Sequence, residues 1–173
     1  MAGAQGLSMP ATARDQRDAR AELLARLSDV RAGMLGVGKS QSRMRPMTHF
    51  LDEEKAVLHF LTSRKTDLAA EVGQGSVSHY CLVDDAGGYY AWITGTLTPN
   101  EDAARLDELW SPVAGAWFAG RDDPNILLLT MPMREAEVWS STDSTLQFGL
   151  EIARANLDPD KEPDVGDHDV LRF

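Results

Sequence analysis

The sequence predicts an antiparallel β-barrel with peripheral α-helices, a mainly β fold of the α+β class. At least six short segments have the apolar or alternating pattern of β-strands. Most of these segments are joined by short connections, and the glycine pair Gly87-Gly88 between two of them indicates a hairpin. The helical segments lie near the two ends and in one insertion, whereas a parallel sheet would require strands and helices to alternate.

Composition limits the classes of function. The chain has 173 residues, enough for one domain with a buried core, and its hydrophobic content of 43% is ordinary for a globular protein. The net charge of −10 argues against binding to nucleic acid or to an anionic membrane surface, although a small phosphate ligand needs only a local basic pocket. The single Cys81 excludes an intrachain disulfide and a cysteine-based zinc site, and the histidines show no metal-ligand spacing, so we expect no metal.

The N-terminal segment and the lengths of the apolar segments bear on where the protein is located. No segment approaches the roughly 18 apolar residues of a membrane span. Residues 1–13 lack the charged start and apolar segment of a signal peptide, so we expect a soluble cytoplasmic protein. We expect a flexible N-terminus over residues 1–13, one domain over 14–157, and a C-terminal tail over 158–173 that can fold back.

The first half of the chain predicts one helix and three strands. The spacing of Leu23, Leu27 and Val30 predicts a surface helix over residues 14–30. An apolar segment, an extended segment that contains Pro46, and an alternating segment follow it. The three predicted strands cover residues 34–37, 44–50 and 56–62.

The second half adds further strands around a helical insertion. Asn100 has the character of an N-cap for a helix, and Pro132 is expected to end the buried apolar strand that precedes it. The predicted elements are helices at 67–72, 101–110, 116–118 and 144–157, and strands at 77–83, 89–97, 126–131 and 135–139.

The most informative segment is residues 60–66, Phe-Leu-Thr-Ser-Arg-Lys-Thr, where a strand gives way to hydroxyl and basic residues before a helix. Free N–H groups and the dipole at the helix start, together with hydrogen bonds from Arg64 and Lys65, would form an anion site. We interpret this turn as a site for the phosphate of a nucleotide ligand. The alternative is a solvent-exposed turn in which a Ser or Thr caps the helix.

A second phosphate-binding pattern lies earlier in the chain. Residues 33–40, Gly-Met-Leu-Gly-Val-Gly-Lys-Ser, match the GxxxxGKS pattern of nucleotide-triphosphate enzymes. That pattern requires a strand directly before it and a helix directly after it. Here a helix precedes it and Pro46 follows, so a P-loop nucleotide-binding protein is the minor alternative.

Several motifs occur together in one order over residues 32–139. They are RMRPM at 43–47, FLT at 60–62, TGT at 94–96, ELWSP at 108–112, AWF at 116–118, DDP at 122–124 and AEVW at 136–139. With these motifs the sequence resembles the general stress protein 26 family, part of the pyridoxamine 5′-phosphate oxidase-like, FMN-binding split barrels. The resemblance implies a six-stranded split β-barrel that forms a homodimer, with one FMN in each of two clefts at the subunit interface.

The resemblance also implies roles for individual residues along one side of the cofactor. By position, Arg45, Pro46 and Met47 would lie along the flavin ring and its ribityl chain. Thr62 would form a hydrogen bond to the ring or to the ribityl edge. FMN is the expected cofactor, and FAD or another flavin is the alternative.

The turn after Thr62 and one distant aromatic residue complete the expected site. Ser63 belongs to that turn, and Arg64, Lys65 and Thr66 would bind the phosphate. Trp139 is similar to the aromatic residue that covers the flavin from the partner subunit, and the alternative is an ordinary core or interface aromatic.

One position departs from the family pattern. Leu68 stands where the family has a lysine that contacts the phosphate. Loss of a charge-assisted hydrogen bond weakens binding by about 1.5–3 kcal/mol. We therefore expect the change Leu68→Lys to tighten FMN binding, unless Arg64 and Lys65 already supply the charge.

Two functions from different classes follow. The first is a flavin-dependent oxidoreductase with an unknown substrate, although no residue stands out as a catalytic acid, base or nucleophile. The second is a non-enzymatic protein that stores, senses or sequesters a flavin. The oxidase reaction on B6 vitamers has no support, because Leu171-Arg172-Phe173 does not match the C-terminal Arg-x-His segment that the reaction uses in the wider family.

Overall fold

The computed structural model describes residues 15–38, 43–141 and 166–173, and these form one curved antiparallel sheet with helices around it. The elements in chain order are α1 (Gln16–Asp29), β1 (Ala32–Val37), β2 (Arg45–Thr48), β3 (Phe50–Asp52), β4 (Val57–Ser63), α2 (Asp67–Val72), β5 (Ser76–Asp84), β6 (Tyr89–Asn100), α3 (Ala103–Leu109), α4 (Pro112–Gly115), β7 (Ile126–Ser141) and β8 (Gly166–Arg172).

The sheet is an incompletely closed barrel. Its strands follow the order β2-β1-β5-β6-β7-β4-β3, every neighbouring pair is antiparallel, and β8 pairs with β7. Strand β2 also contacts β4, so the two ends of the sheet approach each other without a hydrogen-bonded ladder between them. The predicted antiparallel, mainly β barrel is therefore confirmed. Eight strands stand in the described residues instead of six, because the three-residue β3 and the C-terminal β8 extend the sheet.

The long strand β7 corrects one sequence prediction. It continues through Pro132, which was expected to end it, and includes the segment expected to be a separate strand. Pro132 pairs with Val57 of β4, but it lies where the pairing of β7 with β6 is interrupted, so its missing N–H breaks no bond on that side. At the same bend, a Cβ on Gly95 would overlap the carbonyl oxygen of Pro132, so the close approach of β6 and β7 requires glycine there.

Helices α1, α2 and α3 agree with the sequence apart from their boundaries. Helix α1 is confirmed, and Asp15 caps it by accepting a hydrogen bond from the Arg17 N–H at 3.0 Å. Helix α3 starts later than expected because Asp102, not Asn100, is its cap. The prediction of a helix over 116–118 is wrong: the short helix α4 ends at Gly115, and residues 116–118 form a turn. The predicted helix over 144–157 and the N-terminal segment 1–13 lie outside the described residues.

One hydrophobic core fills the barrel. Alternating residues of the strands point inward, and α1 and α2 add side chains such as Leu23 and Leu68. The opposite side of β1, β5, β6, β7 and β8 is the outer face, which we define by its partly exposed apolar and aromatic side chains. These are Met34, Val83, Tyr90, Trp139 and Val170.

Candidate functional site

The turn after β4 is fixed by its own hydroxyl groups. Thr62 is the last inward residue of β4, and its hydroxyl lies 3.3 Å from that of Thr66. The Thr66 hydroxyl donates to the Ser63 carbonyl at 2.8 Å and accepts from the Ala69 N–H at 3.3 Å, which caps α2. The Arg64 N–H donates to the carbonyl of Asn125 at 2.8 Å. Because α2 has only six residues and Thr66 occupies one of its free amides, side chains have to supply most of the charge for an anion.

A cavity of about 500 Å³ opens beside this turn, between β2 and α2, and we call it the β2–α2 cavity. Its volume lies in the range of roughly 300–1,000 Å³ that is typical of small-molecule sites. The cavity brings together six of the nine residues predicted to bind the cofactor, although they come from two separate segments. These residues are Arg45, Pro46, Met47, Thr62, Lys65 and Thr66.

The two cationic side chains in this cavity differ in whether a carboxylate pairs with them. Arg45 forms an ion pair with Glu71 at 3.0 Å, and both side chains are partly exposed. Among the residues that the structure describes, Lys65 forms no ion pair. Asp67 contributes one carboxylate to the lining. Lys65 is thus the cation available to an anionic ligand, and Arg45 can add to it at small cost because exposed ion pairs contribute only about 0–1 kcal/mol.

Arg64 and Ser63 do not share this cavity. Arg64 donates from Nη2 to both carboxylate oxygens of Glu101, at 3.1 and 2.9 Å, and lines a second cavity on the other side of α2. Ser63 is half-buried, and its hydroxyl oxygen accepts the Lys65 N–H at 3.3 Å. The two adjacent cations of the sequence therefore point into different cavities.

Trp139 also lies apart from the β2–α2 cavity. It stands on the outer face of β7 with 37% of its surface exposed. Its ring stacks on that of His168 from β8, with centroids 5.1 Å apart and an interplanar angle of 6°. The Nε2 atom of His168 lies 2.8 Å from a carboxylate oxygen of Glu137. The prediction that Trp139 covers a flavin from the partner subunit stays a prediction.

Leu68 has a different role from the lysine of the family pattern. Its side chain is 1% exposed and belongs to the hydrophobic core, although the residue also borders the β2–α2 cavity. A lysine at this position would have to bury its ammonium group or displace core packing. The expectation that Leu68→Lys tightens FMN binding therefore changes: we now expect a loss of stability.

The sequence analysis missed a polar network that supports β2 from behind. The Tyr80 hydroxyl lies 3.0 Å from the Met47 carbonyl and 2.6 Å from Nδ1 of His49. The Nε2–H of His49 donates to the Leu27 carbonyl at 2.6 Å. Burial lowers the pKa of His49, against the opposing effect of its bond to Leu27, and burial raises the pKa of Tyr80. No spacing signal could reveal this network, because its members come from separate elements.

A second network holds the helical insertion against the barrel. The Arg105 Nε–H donates to Nε2 of His59 at 3.2 Å, and Nη2 of Arg105 lies 3.3 Å from an oxygen of Asp52. Nδ1 of His59 lies 3.0 Å from the Thr130 hydroxyl. Burial first, and then the neighbouring Arg105, lower the pKa of His59. His59 and His49 therefore act as structural histidines.

The described residues do not form a triphosphate-binding loop, a metal site or a membrane-spanning helix. The first five residues of the GxxxxGKS pattern form strand β1, so they cannot wrap a triphosphate as a loop does, and the lysine and serine of the pattern lie outside the described part. Within the described ranges, no group of three or more His, Cys, Asp or Glu residues could hold a metal ion. No helix in those ranges is both long and apolar enough to cross a membrane.

Comparison with known proteins places the chain in a family. The family described as pyridoxamine 5′-phosphate oxidase like matches residues 18–164, which is most of the chain. The curved, incompletely closed barrel is the fold of the FMN-binding split barrels. The chain belongs to the pyridoxamine 5′-phosphate oxidase-like family, and the resemblance inferred from the sequence is confirmed.

Individual relatives agree with this assignment. The chain is 28% identical over 135 residues to general stress protein 26 of Bacillus subtilis, covering 76% of this chain and 95% of that protein. A crystal structure from Jannaschia sp. CCS1, named for general stress protein 26, is 38% identical, covers 91% of this chain and 99% of that one, and has a TM-score of 0.75. The general stress FMN/FAD binding protein of Xanthomonas citri is 30% identical over 74% of this chain and 92% of that one, with a TM-score of 0.67.

Proposed function

We propose that this protein binds FMN in the β2–α2 cavity and acts as a flavin-binding stress protein. The observation that carries the proposal is the convergence of two distant segments, 45–47 and 62–66, on one cavity of suitable size. The relative from Xanthomonas citri, named for FMN and FAD binding, supports a flavin as the ligand class.

The lining of the cavity fits the parts of FMN. Lys65 and the hydroxyl groups of Thr62 and Thr66 offer a cation and hydrogen bonds for a phosphate and a ribityl chain. Strand β2 is the first strand in the sheet order, so the backbone groups on its free side are available to the polar edge of the flavin ring. Bound FMN would supply the electron transfer, while this chain would bind and orient it.

We also propose that the protein works as a homodimer through its outer face. Val83, Tyr90 and Trp139 form a row of partly exposed apolar and aromatic side chains, and contiguous apolar surface of this kind is typical of protein–protein interfaces. Val83, Tyr90, Trp139 and His168 are paired neighbours on four adjacent strands, which makes a continuous surface. Trp139 lies on this surface and not in the cavity of its own chain, so a second copy would be needed to bring it to a flavin.

The chemistry downstream of flavin binding has two candidates. A flavin-dependent oxidoreductase is the first. A binder that stores or senses the flavin is the second. Among the described residues, the lining of the β2–α2 cavity has one carboxylate, Asp67, and no His, Cys or Tyr, so it supports the binder as well as the enzyme. Reduction of the bound flavin by NADH or NADPH at a catalytic rate supports the enzyme, and no reduction by either donor supports the binder.

The flavin proposal is tested by spectroscopy of the purified protein. We expect an absorbance spectrum of bound oxidised flavin after gentle purification, or saturable quenching of FMN fluorescence by the apoprotein. Size-exclusion chromatography with light scattering should give twice the chain mass of 19.0 kDa. A chain that fails to bind FMN at any concentration up to millimolar would refute the proposed function, and a monomer would refute the proposed dimer.

A further inference from the structure

A second cavity, of about 440 Å³, opens on the opposite side of α2, and the proposed FMN site does not use it. We call it the α2–β6 cavity. Its size also falls in the range of roughly 300–1,000 Å³ that is typical of small-molecule sites. Its lining includes Arg64, Ala69, Ala70, Gly73, Pro99 and Glu101.

The two cavities meet at the turn after β4. Arg64 lines the α2–β6 cavity and the next residue, Lys65, lines the β2–α2 cavity. Thr62 and Leu127 are paired neighbours in β4 and β7, and they line the β2–α2 and the α2–β6 cavity respectively. Paired residues of antiparallel strands have Cα atoms only about 4.5–5.5 Å apart. The linings of the two cavities therefore adjoin at residues 62–65, so a group attached to a phosphate at Lys65 would reach the α2–β6 cavity by passing around this turn.

One wall of the α2–β6 cavity suits a flat aromatic base. Ala69, Ala70 and Gly73 stand on one side of α2 and have no side-chain atom beyond Cβ, so this side of the helix is smooth. Pro99 and Leu127 add further apolar surface to the lining. The amide of Gln74, the next residue of the lining, offers a donor and an acceptor to the edge of a base.

The charged pair of the α2–β6 cavity suits a ribose phosphate. Arg64 and Glu101 are joined by two contacts, at 3.1 and 2.9 Å, and their side chains are 44% and 72% exposed. An exposed pair of this kind rearranges at little cost. The guanidinium of Arg64 can bind a phosphate, and the carboxylate of Glu101 can accept hydrogen bonds from ribose hydroxyls while it repels a 2′-phosphate.

The geometry points to an adenylate subsite: the α2–β6 cavity binds the AMP group of a dinucleotide beside the FMN position. This inference rests on the proposed FMN site, because the adenylate is placed relative to a phosphate at Lys65. Two ligands carry the same group. FAD brings it covalently attached to the flavin, and NADH brings it to a protein already loaded with FMN.

The test compares FMN and FAD on the same variants. Ala70→Trp fills the cavity from an exposed position of α2, and Arg64→Ala removes the phosphate donor. Arg17→Ala, on the exposed side of α1, is the matched control for loss of one arginine. We expect FAD to bind wild type more tightly than FMN, and Ala70→Trp and Arg64→Ala to weaken FAD binding roughly ten- to a hundredfold. FMN binding to Ala70→Trp should stay within about twofold of wild type.

A second measurement separates the sources of the adenylate. NADH and NADPH are titrated into wild type and Ala70→Trp, both saturated with FMN. A selective loss of FAD affinity in the variants identifies FAD as the ligand. If FAD affinity is unchanged but NADH affinity is lost, the ligand is the nicotinamide dinucleotide, and NADPH should bind more weakly because of Glu101.

The failures of the two proposals are distinguishable. If wild type binds FMN but FMN, FAD and NADH respond alike to Ala70→Trp and Arg64→Ala, the adenylate subsite is refuted and the FMN site stands. If wild type binds no flavin, the proposed function is refuted and the subsite with it. Circular dichroism melting of each variant identifies any loss of folding, and Arg64→Ala, an exposed change, preserves the comparison if Ala70→Trp unfolds.

Discussion

Replacing Lys65 with alanine removes the cation that the structure leaves available in the β2–α2 cavity. The change breaks no ion pair among the described residues and removes only a minor charge interaction with Asp123, so the substitution reports mainly on the ligand. A charge-assisted hydrogen bond contributes about 1.5–3 kcal/mol. Because Lys65 is exposed and therefore screened, we expect the lower end, about 1.5 kcal/mol, which is a roughly tenfold rise in the Kd for FMN.

The assay is a fluorescence titration of FMN with apoprotein at two ionic strengths. Lys55→Ala is the matched control. It makes the same change in net charge, at a residue that is 75% exposed and does not line the cavity. Raising the salt concentration should bring the Kd of wild type closer to that of Lys65→Ala, since salt screens the exposed charge of Lys65. Equal Kd values for Lys65→Ala and Lys55→Ala at low salt would refute the assignment of Lys65 to the phosphate.

Three further predictions concern stability. Gly95→Ala should lower the free energy of unfolding by about 1–3 kcal/mol in urea denaturation, because its Cβ would overlap the Pro132 carbonyl; an unchanged midpoint would contradict the bend. Leu68→Lys should destabilise the fold by at least about 2 kcal/mol in the same assay, and a more stable or tighter-binding variant would show that the site accepts a cation. The pKa of His49 is lowered in the folded state, so the unfolded state binds more protons and stability should fall as the pH drops below the ordinary value of 6.5; a pKa of His49 at or above 6.5 by NMR would contradict this.

Local patterns in the sequence predicted the turn that defines the site. The turn over residues 62–66 could be predicted because a strand, a polar turn and a capped helix follow one another directly in the chain. The structure contains this strand and the capped helix α2. The hairpin between β5 and β6 is local in the same sense. Its Gly88 has a φ of +58°, a conformation that favours glycine.

Contacts between distant segments could not be predicted in this way. Arg64 turns away from Lys65 because Glu101, 37 residues further along the chain, pairs with it. Strand β7 passes through Pro132 because its partners β4 and β6 hold it on either side of an irregular pairing, which no window around Pro132 reveals. Strand β8 has an ambiguous composition, and its pairing with β7 makes it a strand.

Leu68 shows that the position of a residue in a family motif does not by itself predict the environment of its side chain. The family pattern indicated that a cation was missing, but the side chain of Leu68 faces the core, where its burial stabilises the attachment of α2. The assignment of Leu68 to the lysine position of the motif stays a prediction, and the buried side chain shows that this residue belongs to the core. The charge for a phosphate has to come from Lys65 and Arg45 instead.

A crystal structure of the protein grown with saturating FMN tests the central claim most directly. We expect the flavin phosphate within hydrogen-bonding distance of Lys65 Nζ and the Thr66 hydroxyl, the ring along Pro46 and Met47, and Trp139 of a second copy against the ring. Electron density for FMN at any other site, with the β2–α2 cavity free of it, would contradict the account.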